Sequence, residues 1–165
     1  MILAIDPGPT ESAWVLWDGS VVDKATVPNL DLLCHIRLDD FGNNRLAHGL
    51  CHLVVEKVES FGMAVGVSVF ETVYWTGRFI EAWASWGSTE ANHSRIGRKA
   101  VKLHLCQTHR AKDANIRQAI LDRFGSEKSV AIGKKANPGP LYGVVKHEWS
   151  AIALAITYEE TRDQR

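Results

Sequence analysis

MILAIDPGPT (residues 1–10) is a short apolar run that ends in an acid and is stopped by Pro-Gly-Pro. Residues 1–6 have the length and composition of a buried strand, closed by strong breakers. A strand bound for a core has no need of a carboxylate at its end. Asp6 either caps the turn that follows or stands on a rigid post, held there for chemistry. The first role needs nothing else from the chain. The second needs partners.

The rest of the chain reads outward from this strand. SAWVLWDGSVVDKATV alternates apolar and polar residues around Asp18-Gly19, which predicts a hairpin. A helix NLDLLCHIRL follows, with Asn29 as its N-cap, and DDFGNN is a loop. HLVVEKVES carries a short buried strand, His52 to Glu56, with a second acid where the apolar run stops. After Gly-rich FGMAVGVS comes a long helix, VFETVYWTGRFIEAWASW, apolar on much of its circumference through Phe70, Val73, Tyr74, Phe79, Ile80, Trp83 and Trp86. Such a helix is central or half of an oligomer interface. HSRI reads as an edge strand and RKAVKLHLC as a short basic helix. THRAKDANIRQAILDRFG is a helix with Ala114, Ile116, Ala119, Ile120 and Phe124 inward and Gly125 past its end. The stretch GSEKSVAIGKKANPGPLYG is a long loop and a functional candidate. The last helix, VVKHEWSAIALAITYEE, shows an apolar stripe at Val145, Trp149, Ile152 and Ile156. An antiparallel meander, then strands added through helices, implies an α/β protein with a mixed sheet and helices on both faces.

At 165 residues the chain is read as one domain, residues 1–165, able to bury its own core. It has no internal repeat, and its start lacks a basic and apolar leader. No apolar run approaches the roughly 18 residues that span a bilayer, so a soluble, cytoplasmic protein with no membrane partner is expected. Cys34, Cys51 and Cys106 are odd in number and form no CxxC pair, which predicts free thiols. A zinc site built on Cys51 and His52 is poorly signalled, for no second ligand pair accompanies them. The zero net charge hides an asymmetry. Residues 1–90 hold 5 Lys+Arg against 12 Asp+Glu, whereas residues 91–165 hold 14 against 7. Unless the halves interleave and cancel, an acidic half beside a basic one fits a polyanion held near a metal.

Adjacent strands of such a sheet would bring Asp6 and Glu56 side by side. Two carboxylates a few Å apart repel, and stay together only where a cation or a shared proton neutralises them. Hard oxygen ligands with open positions describe Mg²⁺, with Mn²⁺ able to substitute, bound jointly by protein and phosphate. Two such ions would stabilise the entering and leaving oxygens of an attack by water on a phosphodiester.

MILAIDPGPTESAWVLWDG, LVVEKVES, RKAVKLHLCQTHRAKDANIRQAI and HEWSAIALAI, in this order, resemble the RuvC-like branch of the RNase H superfamily, most of all its phage-encoded Holliday junction resolvases. The resemblance runs through nearly the whole chain. It implies an RNase H-like, mixed five-stranded sheet, a homodimer, and metal-dependent endonucleolytic cleavage of branched DNA in recombination and repair. The family's first acid falls on Asp6 and its second on Glu56, and a basic residue falls on Lys102. Asp113 stands where RuvC itself has a lysine, with Lys112 beside it able to do the same work. The departure is at the last helix. Where the family has two acids, or a His and an acid, three residues apart, this chain has His147 and Ser150. Residues i and i+3 share a helix face, whereas Glu148 points well away from Ser150. His147 is thus preferred as ligand or proton shuttle. Glu148 is the fallback if the register slips, and Asp113 an extra carboxylate. The expected catalytic and metal-binding set is Asp6, Glu56, His147 and Asp113, with Lys112 steadying the transition state. Arg95, Arg98, Lys99, Lys102 and Arg110, with Lys134 and Lys135 in the long loop, are the expected phosphate contacts. Trp75 and Trp86 read as core first, then as dimer-interface or base-stacking residues.

Two other readings compete. IDPGPT also resembles the phosphate-binding start of actin-like ATPases, but no second Gly-rich phosphate motif follows, and Gly133-Lys134 is no P-loop, so no nucleotide cofactor is expected. A catalytically weak module that binds structured DNA is the other, prompted by Ser150.

Overall fold

The computed structural model describes residues 1–41, 51–59, 62, 64–85, 92–125 and 127–162. Its centre is a five-stranded sheet in the order β3-β2-β1-β4-β5. The strands are β1 (Ile2–Asp6), β2 (Glu11–Trp17), β3 (Val21–Pro28), β4 (His52–Lys57) and β5 (His93–Gly97). β1, β2 and β3 form an antiparallel meander, and β4 and β5 are added in parallel. This is the mixed sheet that the sequence implies. Gly19, at a φ of +75°, turns the β2–β3 hairpin where Asp18-Gly19 signals it.

Alternation along the strands sorts their side chains between two cores. Leu3, Ile5, Leu16, Leu53 and Val55 face α1 (Asn29–Leu38) and α2 (Val67–Ala84). Ile2, Ala4, Val15 and Val54 face the other way, onto α3 (Arg98–Cys106), α4 (Asp113–Arg123) and α6 (Glu148–Arg162). α6 is the chief support of that face, buried without a break from Ala151 to Thr157. The indole of Trp17 donates to Glu159 at 2.8 Å and pins β2 to α6.

Several elements differ from the sequence reading. α1 begins after Pro28, and Asn29 is its first residue rather than its N-cap, because its side chain is drawn to the β1–β2 turn instead. α6 starts at Glu148, since Gly143 (φ +72°) and Lys146 (φ +44°) hold the preceding segment in turns. Val145 therefore lies outside the helix and is exposed. Ala114 is exposed on α4, where Leu121 is buried in its place. The long loop after Gly125 contains a helical turn, α5 (Lys128–Ala131), and a ribbon of β6 (Gly133–Lys134) and β7 (Asn137–Pro138). On α2 only Thr76, Phe79, Ala82 and Trp83 are buried, while Phe70, Val73 and Tyr74 are exposed. Trp75 is half-buried against Phe79, and Trp86 lies outside the described residues. Among the described residues the three cysteines are free thiols, and no helix is long and apolar enough to cross a membrane.

The Pro7-Gly8-Pro9 turn is braced from below. Ser12, buried, donates to Asn29 Oδ1 at 2.6 Å and accepts from the Gly8 N–H at 3.2 Å. Asn29 returns a hydrogen bond to the Gly8 carbonyl at 3.0 Å, and its own N–H donates to Thr10. A β-carbon on Gly8 would lie 2.4 Å from the Glu11 carbonyl oxygen, so the turn closes only around glycine. Asp6 is thus the last residue of a strand whose exit path is set by a closed polar network. Gly8→Ala should cost about 1–3 kcal/mol through this backbone collision. Asn29→Ala should cost a similar amount, about 1–3 kcal/mol, by leaving Ser12 and the Gly8 carbonyl unpaired. Urea unfolding curves measure both, and unchanged midpoints would show that the turn tolerates other paths.

Candidate active site

The register of β1 and β4 places the two acids. Ile5 stands opposite Val55, so one step further Asp6 comes beside Glu56. Their strand parity is that of Ala4 and Val54, and both carboxylates point to the face covered by α6, α3 and α4. Their side chains are only 11% and 16% exposed. They are hydrogen-bonded to each other, which requires a proton between them.

Three further groups converge on this pair. His147 Nδ1 lies 3.2 Å from Asp6 Oδ2, with the imidazole otherwise exposed. Its carbonyl accepts from the Ser150 and Ala151 N–H groups, so His147 stands at the threshold of α6. Ser150, one helical turn on, lines the same cleft as Asp6 and favours its charged form. Arg98, the first residue of α3, sends Nη1 to Glu56 Oε1 at 3.5 Å and Nη2 to Asp113 Oδ1 at 2.6 Å. Asp113 opens α4, and its carboxylate is largely exposed. Together Asp6, Arg98, Asp113, His147 and Ser150 line an open cleft of about 790 Å³. Ile116, Val144, Val145 and Trp149 also line it, with Arg117 stacked 4.6 Å over the Trp149 ring.

The remaining sequence candidates do not line this cleft. Lys112 is exposed; its N–H donates to Asn115 Oδ1 and its carbonyl accepts from Asn115, closing the start of α4. Lys99 and Lys102 are on α3, Arg95 on the edge strand β5, and Arg110 in the turn between α3 and α4. Lys134 and Lys135 sit on the β6–β7 ribbon. Glu148 points away from Asp6 and is buried, where it accepts from the Val145 N–H at 3.0 Å and pairs with Lys24 at 3.5 Å. Lys24 also donates to the Gly143 carbonyl, so this buried contact ties residues 143–148 to β3 and holds His147 in place. His52 pairs with Ser94 at 2.9 Å and stacks on Tyr158, away from any metal cluster with Cys51. The sequence reading did not find Arg117, Lys146 and Trp149 as cleft residues, nor the double grip of Arg98. A basic residue opening the helix after the edge strand was the only available signal.

Among the described residues, no three His, Cys, Asp or Glu side chains are drawn together as a ready cage for a metal. The four-residue set of Asp6, Glu56, His147 and Asp113 is not assembled, because Arg98 holds Asp113 to itself. Asp6 and Glu56 nevertheless suit a hard divalent cation. They are paired oxygen donors kept together against their own repulsion, with an imidazole at the edge.

Burial raises the pKa of Asp6 from its ordinary value, although Glu56, Arg98 and Ser150 draw it down. Glu56 is pushed up to about 8, first by burial and then by the hydrogen bond and charge of Asp6, with Arg98 opposing. Folded Glu56 therefore keeps a proton that the unfolded chain, with an ordinary value near 4.5, has already released. Stability of the metal-free protein should then fall as pH rises from about 4.5 to about 8. Glu56→Gln should flatten this slope and raise the melting temperature at pH above 8. Thermal melts across that range check the sign, and a Glu56→Gln protein with the wild-type slope would contradict it.

No protein-family model and no curated protein matches this chain. Its structure is similar to that of Thermus thermophilus RuvC, with a TM-score of 0.67 at 13% identity over 99% of this chain and 95% of that one. It is also similar to T. thermophilus RuvC in complex with a Holliday junction substrate, with a TM-score of 0.68 at 16% identity over 99% and 94%. The overlap spans nearly the whole of both chains, and the fold of this chain is the RuvC-like form of the RNase H fold.

Proposed function

We propose that this chain, acting as one nuclease domain over residues 1–165, is a divalent-metal-dependent endonuclease that cuts four-way or otherwise branched DNA junctions by phosphodiester hydrolysis. The observation that carries the reading is the buried Asp6–Glu56 pair at the ends of adjacent parallel strands, with Asp6 lining an open cleft. The likeness to a RuvC bound to a Holliday junction supports the choice of substrate.

Asp6, Glu56 and His147 would hold Mg²⁺ or Mn²⁺, which supplies charge stabilisation for the entering and leaving oxygens of the phosphodiester. The chain's own groups do the rest. The braced turn fixes Asp6 so that no reorganisation is needed as charge develops. His147, exposed on one side and against Asp6 on the other, can take a proton from an attacking water or return one to the leaving oxygen. Lys112, Lys146 and Arg117, at the cleft or beside it, would balance the charge of the phosphate. Arg95, Lys99, Lys102, Arg110, Lys134 and Lys135 would position the flanking duplex arms without reading sequence.

The homodimer belongs to the same proposal. Val67, Phe70 and Tyr74 share a face of α2, with Val73 beside them, and all four are at least half exposed. A two-fold axis through this apolar face would present two sites to symmetric strands of a junction. Phe70→Arg should convert the dimer to a monomer in sedimentation analysis while keeping the wild-type far-UV spectrum. A wild-type chain that sediments as a monomer would refute the dimer.

Single-turnover cleavage of a synthetic junction in Mg²⁺ tests the chemistry. Glu56→Gln should slow it by at least about a hundredfold while leaving junction affinity within a few-fold. Loss of both would make Glu56 structural. A second reading rests on Ser150, which stands on α6 where an acid would strengthen the metal site. On that reading the chain is a junction-binding module with weak catalysis. Junction binding by the wild type without cleavage in Mg²⁺ or Mn²⁺ would favour it.

A further inference from the structure

Arg98 is the one cation among the described side chains that grips two site carboxylates at once, one from β4 and one from α4. We propose that Arg98 is an exchangeable latch: it occupies Glu56 and Asp113 in the free protein, and its transfer to a DNA phosphate releases Asp113 to complete the cation site. This deepens the nuclease reading and rests on it.

Three observations support the latch. Among the described residues Asp113 is the only carboxylate besides Asp6 that lines the cleft, which Ser150 also lines, where α6 supplies no acid. Its present partner, Arg98 Nη2, is the closer of the two Arg98 contacts at 2.6 Å, so Asp113 is turned toward Arg98. Arg98 itself is about one-third exposed and lines the same cleft, within reach of a phosphate placed there. A guanidinium is a planar fork whose two arms match two carboxylate oxygens or two phosphate oxygens equally well. It can therefore exchange one anion for another without losing its hydrogen bonds. While it stays on Glu56 and Asp113, a divalent cation must compete with it for both.

The latch couples metal and DNA. Whatever draws Arg98 away raises the affinity of the carboxylates for a cation, and a bound cation in turn frees Arg98 for phosphate. The chain would then assemble its full ligand set only on substrate, which offsets the acid missing at position 150.

Titration of the protein with Mn²⁺, followed by the electron paramagnetic resonance signal of free Mn²⁺ without DNA, tests this. Arg98→Gln should tighten Mn²⁺ binding about tenfold. Arg98→Lys is the discriminating variant, for it keeps the charge but cannot hold two carboxylates together. It should also bind Mn²⁺ more tightly than the wild type. In an Asp113→Asn background most of the gain from Arg98→Gln should vanish, since the two substitutions remove one interaction. Should Arg98→Lys match the wild type, only charge matters and the latch is overturned. Unchanged or weaker binding by Arg98→Gln overturns it as well. If Arg98→Gln does not fold, Arg98→Lys carries the test alone. A wild type that binds Mn²⁺ and cuts junctions while the variants do not shift would sink the latch and leave the nuclease standing. Should neither wild type nor variants take up Mn²⁺ at millimolar concentration, both fall.

Discussion

Two carboxylates forced together on adjacent parallel strands are the constraint around which the rest of this molecule is arranged. Asp6 and Glu56 share a register step and a sheet face, so neither can turn away without leaving its strand. Burial disfavours their charged forms, and proximity disfavours having both charged. The free protein answers with a proton between them and a guanidinium beside them. Such an arrangement costs stability and makes sense only where a cation or a phosphate is to replace the stand-ins.

The scaffold spends buried polar contacts on aiming this pair. Ser12 and Asn29 close the turn behind Asp6, so the strand end cannot fray toward solvent. Lys24 and Glu148 do the corresponding service for the segment before α6, fastening it to β3 and presenting His147 to Asp6. Both devices join elements far apart in sequence, and both place polar atoms where apolar packing would have been cheaper. Their common product is a fixed geometry at the cleft floor, with the exposed His147 and Asp113 left to respond to what enters.

Much of this was legible from the residues. Breakers and alternation located the strands, and two acids at strand ends stood out because core strands rarely finish in charge. Motif order led to the RuvC-like form of the sheet, which the structure bears out. What could not be read depends on contacts between distant segments. Asn29 looks like a helix cap because its claim on Gly8, 21 residues away, leaves no local trace. Helix geometry sets Glu148 apart from the site but gives no hint of its partner, Lys24, more than a hundred residues away. Arg98 reads as one charge in a basic run, and only the folded chain sets it between Glu56 of β4 and Asp113 of α4. Phe70, Val73 and Tyr74 read equally as core or as interface, because periodicity reports an apolar face without saying what covers it, and the structure leaves them exposed.

The central claim is that the Asp6–Glu56 pair exists to hold a divalent cation. Anomalous scattering from crystals soaked in Mn²⁺ tests it most directly. A peak within bonding distance of both carboxylates, absent from Asp6→Asn crystals, is the predicted result. A map without a peak there, or with Mn²⁺ bound elsewhere and the Asp6–Glu56 hydrogen bond intact, would contradict it.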